Sequence, residues 1–207
     1  MKYYIGIDLG GTNVRTLLVD ENGQSYSEVK DATERENGPD YVCSKIIRQI
    51  ESLDCSVCGG IQNVQGIGIG VPGPVDTEHG VMIMATNLPG FENYPNCEKL
   101  STRFNLPVFI DNDANVAGLA EALLGAGKGK PTCYYVTIST GIGGAFVVNG
   151  QLVSGGRGHA GEVGNIIVKN NGYKFGGLNP GAVEGEASGT AITRKGKEIL
   201  GEERVHH

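Results

Sequence analysis

The sequence predicts an α/β protein made of two related units, the second shorter than the first. Three observations carry that reading. Apolar segments with strand alternation are interleaved with segments of helical spacing along the 207 residues. The strand–glycine turn–strand pattern of Tyr3-Tyr-Ile-Gly-Ile-Asp-Leu-Gly10 returns as Tyr134-Tyr-Val-Thr-Ile-Ser-Thr-Gly141, the mark of an internal repeat. Glycine accounts for 34 residues, against about 15 at average usage. There is no G-X-Y period and 39% of the residues are hydrophobic, which excludes collagen and a disordered tract.

Taken in order, Tyr3 to Leu9 and Val14 to Asp20 read as strands around a Gly10-Gly11 turn, and Glu21-Asn22-Gly23 turns into a third strand, Gln24 to Lys30. Val42, Ile46, Ile47, Ile50 and Leu53 have helical spacing, with Pro39-Asp40 as the first turn. Val64 to Val71 is a strand stopped by Pro72-Gly73-Pro74, and Val81 to Ala85 is another. A loop from Asn87 leads to a short helix near Cys97 to Phe104, a strand at Val108 to Ile110 and a helix from Ala114 to about Leu124. Gly125 to Pro131 reads as a linker, so the units are expected at 1–125 and 126–207. Beyond it the repeat resumes, and its second strand continues as Gly144-Ala-Phe-Val-Val-Asn-Gly150.

Composition excludes several function classes. With 17 basic and 23 acidic residues the net charge is −6, and no basic run supplies the footprint of a nucleic-acid binder. No apolar stretch approaches the roughly 20 residues of a membrane span, and the five cysteines are odd in number and scattered. A reduced, cytoplasmic protein is the expectation. Cys55-Ser-Val-Cys58 is a lone CxxC at a helix end, without a second ligand pair.

Several glycine segments resemble nucleotide motifs, with unequal merit. Gly68 to Gly73 and Gly156 to Gly161 both satisfy GxGxxG, but the first runs into Pro74 and the second into an apparent strand rather than a helix. Asp8-Leu-Gly-Gly-Thr12 places a carboxylate at a strand end, then a tight turn rich in N–H donors with the Thr12 hydroxyl beside it. Such a concavity suits phosphate oxygens, and a carboxylate there can hold hydrated Mg²⁺. Ser139-Thr140-Gly-Ile-Gly-Gly144 is a second donor-rich turn without a carboxylate. Either alone is equally an ordinary hairpin turn; the pair at duplicated positions points to a polyphosphate. Asp111-Asn-Asp-Ala-Asn115 lies between a strand and a helix, where one residue caps the helix and the others stand at the carboxyl end of a strand. Glu162 and the Glu184-Gly-Glu186 pair add carboxylates in glycine-rich, apparently non-helical surroundings, either solvated or ligand-binding.

Taken together, Asp8 to Thr12, Gly68-Ile-Gly-Val-Pro-Gly-Pro-Val-Asp76, Asn87-Leu-Pro-Gly-Phe91, Asn112 to Asn115, Thr137 to Gly144, Gly161-Glu-Val-Gly164 and Glu184-Gly-Glu-Ala-Ser-Gly189 resemble, in order, the ROK family of sugar kinases and related repressors. The resemblance implies an actin-like ATPase (ribonuclease H-like) fold, with duplicated α/β domains, mixed sheets and a cleft between them, the second domain cut short. It implies an ATP-dependent kinase of glucokinase type moving the γ-phosphoryl of Mg·ATP to a hexose hydroxyl, usually the 6-OH. Asp113 would be the general base. Asn112, Glu162, Glu184, Asn87 and Gly73 would line the sugar site, Asp8 would organise Mg²⁺ through water, and Gly10, Gly11, Thr12, Thr140 and Gly141 would cradle phosphates. Fructose, allose, N-acetylmannosamine and N-acetylglucosamine fit the same residues, and the family leaves a homodimer open.

Two departures qualify the resemblance. Zinc-bearing members have a histidine three residues after the glutamate and a cysteine cluster beyond it; here Asn165 takes that place and Tyr173 to Val183 holds no cysteine, so no structural zinc is expected. His159 stands nearby as a sugar or loop contact rather than a metal ligand. Family kinases also continue past the equivalent of His207 with an adenosine-binding segment, so a longer parent is expected to be active and the 207-residue chain weak or dead. Family repressors carry a helix-turn-helix ahead of this domain, whereas the first strand here opens at Tyr3; a repressor or a non-catalytic sugar binder is the alternative.

Overall fold

In the computed structural model, which describes residues 1–85, 87–156 and 158–201, the chain divides into two compact units, Met1–Val116 and the residues from Ala117 onward. Arg157 of the second GxGxxG match and Val205 to His207 lie outside the described residues.

Strict alternation makes the first hairpin. In β1 (Tyr3–Leu9) the residues Ile5, Ile7 and Leu9 are buried, and in β2 (Asn13–Asp20) so are Val14, Thr16 and Leu18. One face of each strand therefore enters the core. Asp20 ends β2 by accepting the N–H groups of Asn22 (2.8 Å) and Gln24 (3.0 Å), a local turn that sends the chain back as β3 (Ser25–Ala32). Helix α1 (Pro39–Ser52) starts on proline and buries Val42, Cys43, Ile46 and Ile50 on one stripe. Each such fully buried aliphatic side chain contributes about 1.5–3 kcal/mol.

Strand β4 (Ile67–Val71) runs parallel to β1 and to β7 (Val108–Asn112). The five-stranded sheet has the order β3-β2-β1-β4-β7, antiparallel on one side and parallel on the other. Between β4 and β7 lie the short antiparallel pair β5 (Val75–Asp76) and β6 (Val81–Met82) and the helix α2 (Asn96–Phe104). The strand expected at Val81 to Ala85 is thus only two residues long, because Ile83 and Met84 turn outward and are exposed.

Helix α3 (Asp113–Leu123) leads into the second unit. The division falls inside this helix, ahead of the boundary expected at 125/126, because Gly118 already lies against Tyr135 and Ala145 of the second sheet. That sheet joins β8 (Thr132–Ile138) to β9 (Ile142–Val148), and β9 to β10 (Gln151–Leu152), in the order β10-β9-β8. The β9–β10 turn is Asn149-Gly150, both with positive φ (50° and 75°), which matches the strand twist of a two-residue hairpin. The order reproduces β3-β2-β1, so the strand–glycine turn–strand repeat is also a repeat of topology.

Two local expectations are corrected. Glu184 to Glu186 lie in a short helix, α4 (Val183–Ala187), which runs through Ser188 into α5 (Gly189–Leu200); glycine lowered the helical signal without preventing a helix set by tertiary packing. The segment after Gly161 is a single 3₁₀ turn, Val163–Asn165, not a strand. Cys55 and Cys58 stand just beyond the end of α1, Cys55 at the start and Cys58 as the last residue of a 3₁₀ turn, and all five cysteines are free.

Candidate functional site

In the first unit the site residues gather at the carboxyl ends of β1, β4 and β7. The pairing sets Asp8 beside Gly70 and Gly70 beside Asp111, at the edge where open α/β sheets take ligands. Gly70 has no side chain to fill the space, and a methyl there would lie 3.7 Å from the Asp113 Cα.

The β7–α3 junction is fixed by its own polar groups. Asn112 Oδ1 accepts the N–H groups of Ala114 (3.0 Å) and Asn115 (3.3 Å), the N-cap of α3. Its Nδ2 donates to the Gly73 carbonyl at 3.1 Å. Gly73 has φ +85°, and a methyl on it would sit 2.7 Å from the Met84 carbonyl oxygen, so the turn after β4 admits glycine alone. Asp111 Oδ1 is taken by Asn115 Nδ2 at 2.9 Å. Asp113 begins the helix. Loss of hydration raises its carboxyl above the ordinary value, a hydrogen bond from the Ala114 N–H pulls the other way, and the Asp8 charge adds to the rise. The residue as a whole stays exposed, so the carboxylate remains within reach of a ligand, and a raised value makes it a stronger base.

The Gly10–Thr12 turn is closed from behind. The Gly10 carbonyl accepts Thr33 Oγ1 (2.6 Å) and the Thr12 carbonyl accepts the Thr33 N–H (2.8 Å). Asn87 lies against Gly11: a methyl on Gly11 would be 2.8 Å from the Asn87 carbonyl oxygen and 2.7 Å from Arg35 Nη1. Arg35 Nη1 donates to that same Asn87 carbonyl at 2.8 Å. Sequence reasoning passed over Arg35, whose guanidinium puts positive charge beside the turn. No spacing rule reaches it, because its place depends on β3 returning the chain to the end of β1.

The remaining candidates belong to the second unit. The Ser139–Gly141 turn joins β8 to β9, and Glu184 Oε2 accepts the Ile142 N–H at 2.7 Å. A methyl on Gly141 would lie 2.5 Å from the same carboxylate oxygen. The backbone N–H groups of Thr140 and Gly141 have no acceptor among the described residues. Glu162 is exposed, and its Oε2 accepts Asn165 Nδ2 at 3.2 Å; His159 is exposed too. Thus Asp8, Gly10, Gly11, Thr12, Gly73, Asn87, Asn112 and Asp113 form one cluster, and Thr140, Gly141 and Glu184 a second.

The N–H groups of Gly11, Thr12, Thr140 and Gly141 have no backbone acceptor among the described residues, while that of Gly10 is taken by the Asn13 carbonyl at 2.9 Å, so each turn offers donors that could meet phosphate oxygens. Asp8, exposed at the end of β1, is a carboxylate that could hold a hydrated cation. Among the described residues no group of three or more His, Cys, Asp or Glu side chains is arranged around a metal position, and no helix is long and apolar enough to cross a membrane.

Comparison with known proteins agrees with the fold and the motif order. The family model described as ROK family matches residues 4–205. The glucokinase of Thermotoga maritima is 38% identical over 190 residues, which cover 92% of this chain and 58% of that protein. The crystal structure of a ROK hexokinase from Thermus thermophilus superposes with a TM-score of 0.84 at 34% identity, over 96% of this chain and 64% of the other. A ROK family glucokinase from Streptomyces griseus, solved in complex with glucose and AMPPNP, gives 0.77 at 33% identity, over 95% and 60%. The xylose repressor of Bacillus subtilis also matches, at 30% identity over 93% of this chain and 49% of its own. The chain spans less than two thirds of the length of each of these relatives. With the family's motifs met in order and its mixed sheet in place, the chain belongs to the ROK family and has its actin-like ATPase fold.

Proposed function

We propose that this chain belongs to an ATP-dependent hexose kinase of glucokinase type, in which Asp113 is the general base for transfer of the γ-phosphoryl to a sugar hydroxyl, the 6-OH. The observation that carries the reading is Asp113 itself. It stands at the start of α3 beside the carboxyl ends of the parallel strands, and its carboxyl is raised by lost hydration and by Asp8. The names of the Thermotoga and Thermus relatives and the ligands of the Streptomyces structure support it.

Bound Mg·ATP supplies the phosphoryl group and neutralises its charge. The protein's residues orient and hold. Asp113 accepts the proton of the attacking hydroxyl. Asn112, already fixed by the helix cap, offers the second proton of its amide to a sugar oxygen; Glu162, Glu184, Asn87 and the Gly73 backbone take other hydroxyls. The Gly10–Thr12 turn, Thr140 and Gly141 direct N–H and hydroxyl donors at phosphate oxygens, Asp8 holds the hydrated cation, and Arg35 adds positive charge beside Gly11. Positioning and charge stabilisation are what phosphoryl transfer asks of a protein.

The test is Asp113→Asn. Sugar affinity should persist while ADP release on a hexose panel, by the longest natural polypeptide that contains this chain, falls by about 10²–10⁴. Unchanged turnover removes Asp113 from the role of base. The match to xylose repressors favours one second reading, a sugar-binding domain without phosphoryl transfer. Saturable hexose binding with no ADP release from any hexose, in the presence of Mg·ATP, would establish that reading instead.

A further inference from the structure

We propose that Glu184 is a positioning residue for the second glycine turn, fixing the peptide geometry that leaves two N–H groups available to a phosphate. The proposal rests on the kinase reading for the identity of the anion, and on the geometry alone for the positioning.

Three successive peptide planes of this turn are each held by hydrogen bonds. The Ser139 carbonyl accepts the Gly189 N–H at 2.8 Å. The Thr140 carbonyl accepts Thr190 Oγ1 at 2.8 Å. The third peptide, between Gly141 and Ile142, is gripped at both ends: its carbonyl accepts the Ser139 N–H at 2.9 Å, and its N–H is taken by Glu184 Oε2 at 2.7 Å. A trans peptide is planar, with its C=O and N–H on opposite edges. Anchoring the carbonyls of Ser139 and Thr140 to the start of α5 therefore turns the N–H groups of Thr140 and Gly141 away from it. These are the two donors of the turn without an acceptor among the described residues.

Glu184 differs from the other anchors in being charged. A hydrogen bond to a carboxylate is shorter and about twice as strong as one between neutral groups, so it is the firmest of the restraints on the turn. The approach is close enough to require glycine at 141, where a methyl would lie 2.5 Å from Oε2 and 3.2 Å from Cδ. A methyl on Gly164 would strike the Ile142 carbonyl oxygen and lie 3.5 Å from the Glu184 Cβ, so that position too has no room for a side chain. The carboxylate keeps its second oxygen, Oε1, without a hydrogen-bond partner among the described residues. If that oxygen takes a sugar hydroxyl, one carboxylate links the sugar to the geometry of the phosphate turn.

Amide hydrogen exchange on the 207-residue chain tests the positioning without any activity. Glu184→Ala should cost the Ile142 amide about tenfold or more of its protection, with the amides of β1 and β4 unchanged. Glu184→Gln, whose amide oxygen still accepts, should keep most of it. Gly141→Ala should lower Ile142 protection as Glu184→Ala does, by expelling the carboxylate, and should lower it no further in the Glu184→Ala background. Tripolyphosphate titrated into the same proteins should bind several-fold more weakly to Glu184→Ala and Gly141→Ala, with Glu184→Gln between them and wild type. Wild-type Ile142 protection in Glu184→Ala overturns the proposal and leaves Glu184 as a sugar contact alone. Lost protection in a protein whose wild type binds no tripolyphosphate would uphold the positioning and overturn its phosphate purpose, and with it the second-turn part of the kinase reading.

Discussion

Asn112→Ala separates what the β7–α3 junction does for the fold from what it offers a ligand. The Asn112 amide makes three bonds: Oδ1 accepts from the N–H groups of Ala114 and Asn115, and Nδ2 donates to the Gly73 carbonyl. Losing an N-cap side chain costs typically about 1 kcal/mol, and losing a side-chain hydrogen bond of ordinary strength costs about another 1 kcal/mol. The alanine variant should therefore be about 2 kcal/mol less stable. Asn112→Ser rebuilds the cap without reaching Gly73, so it should recover about half of that loss. Its hydroxyl cannot replace the remaining amide proton, so hexose affinity should stay low in both variants. The chain has no tryptophan and eight tyrosines, so urea unfolding is best followed by far-ultraviolet circular dichroism and tyrosine emission. The two probes need not coincide in a molecule of two compact units. A serine variant as unstable as alanine, or an alanine variant within about 0.5 kcal/mol of wild type, would refute the capping role and the division of labour drawn from it.

Gly11→Ala should break the Arg35–Asn87 bond, since the Arg35 side chain can swing aside but the Asn87 carbonyl cannot; a loss of about 1–3 kcal/mol in denaturation, together with weaker tripolyphosphate binding, is expected. Gln49→Leu leaves the buried Thr16 hydroxyl and one Asp31 oxygen without their partner. It should cost about 1–3 kcal/mol, and the Thr16→Val/Gln49→Leu double variant should regain part of it. The Asp76 carboxylate raises His79 above its ordinary value of 6.5. The His79–Asp76 attraction is thus present below pH 6.5 and fades as pH rises through the higher folded value. Imidazole titration by nuclear magnetic resonance should show the raised midpoint, and Asp76→Asn should bring it down.

Elements whose signals are local were legible in the sequence. The β1–β2 hairpin, α1 and β4 follow from alternation, helical spacing and their proline or glycine punctuation, and the second copy of the hairpin followed from the first. What escaped depends on partners far along the chain. Helix α5 buries only Ala191 of its residues, with Ile192, Ile199 and Leu200 exposed, and its start is set by Ser188 accepting the Ala191 N–H. The residues for phosphate and sugar stood out as motifs, but the hydrogen bonds that hold them did not. Neither Arg35 on Asn87 nor Glu184 on Ile142 has a sequence separation that any short pattern covers.

In the first unit β4 occupies the side of β1 away from β2; in the second, the corresponding side of β8 pairs with nothing among the described residues. The strand reads Thr-Cys-Tyr-Tyr-Val-Thr-Ile, seven residues without a charge or a proline, and Tyr134, Val136 and Ile138 are exposed. Open, uncharged and rich in β-formers, such an edge is the kind on which strands from other chains add. The practical consequence is colloidal. This polypeptide should become turbid with rising concentration, and a lysine at Val136 should raise the concentration at which it does.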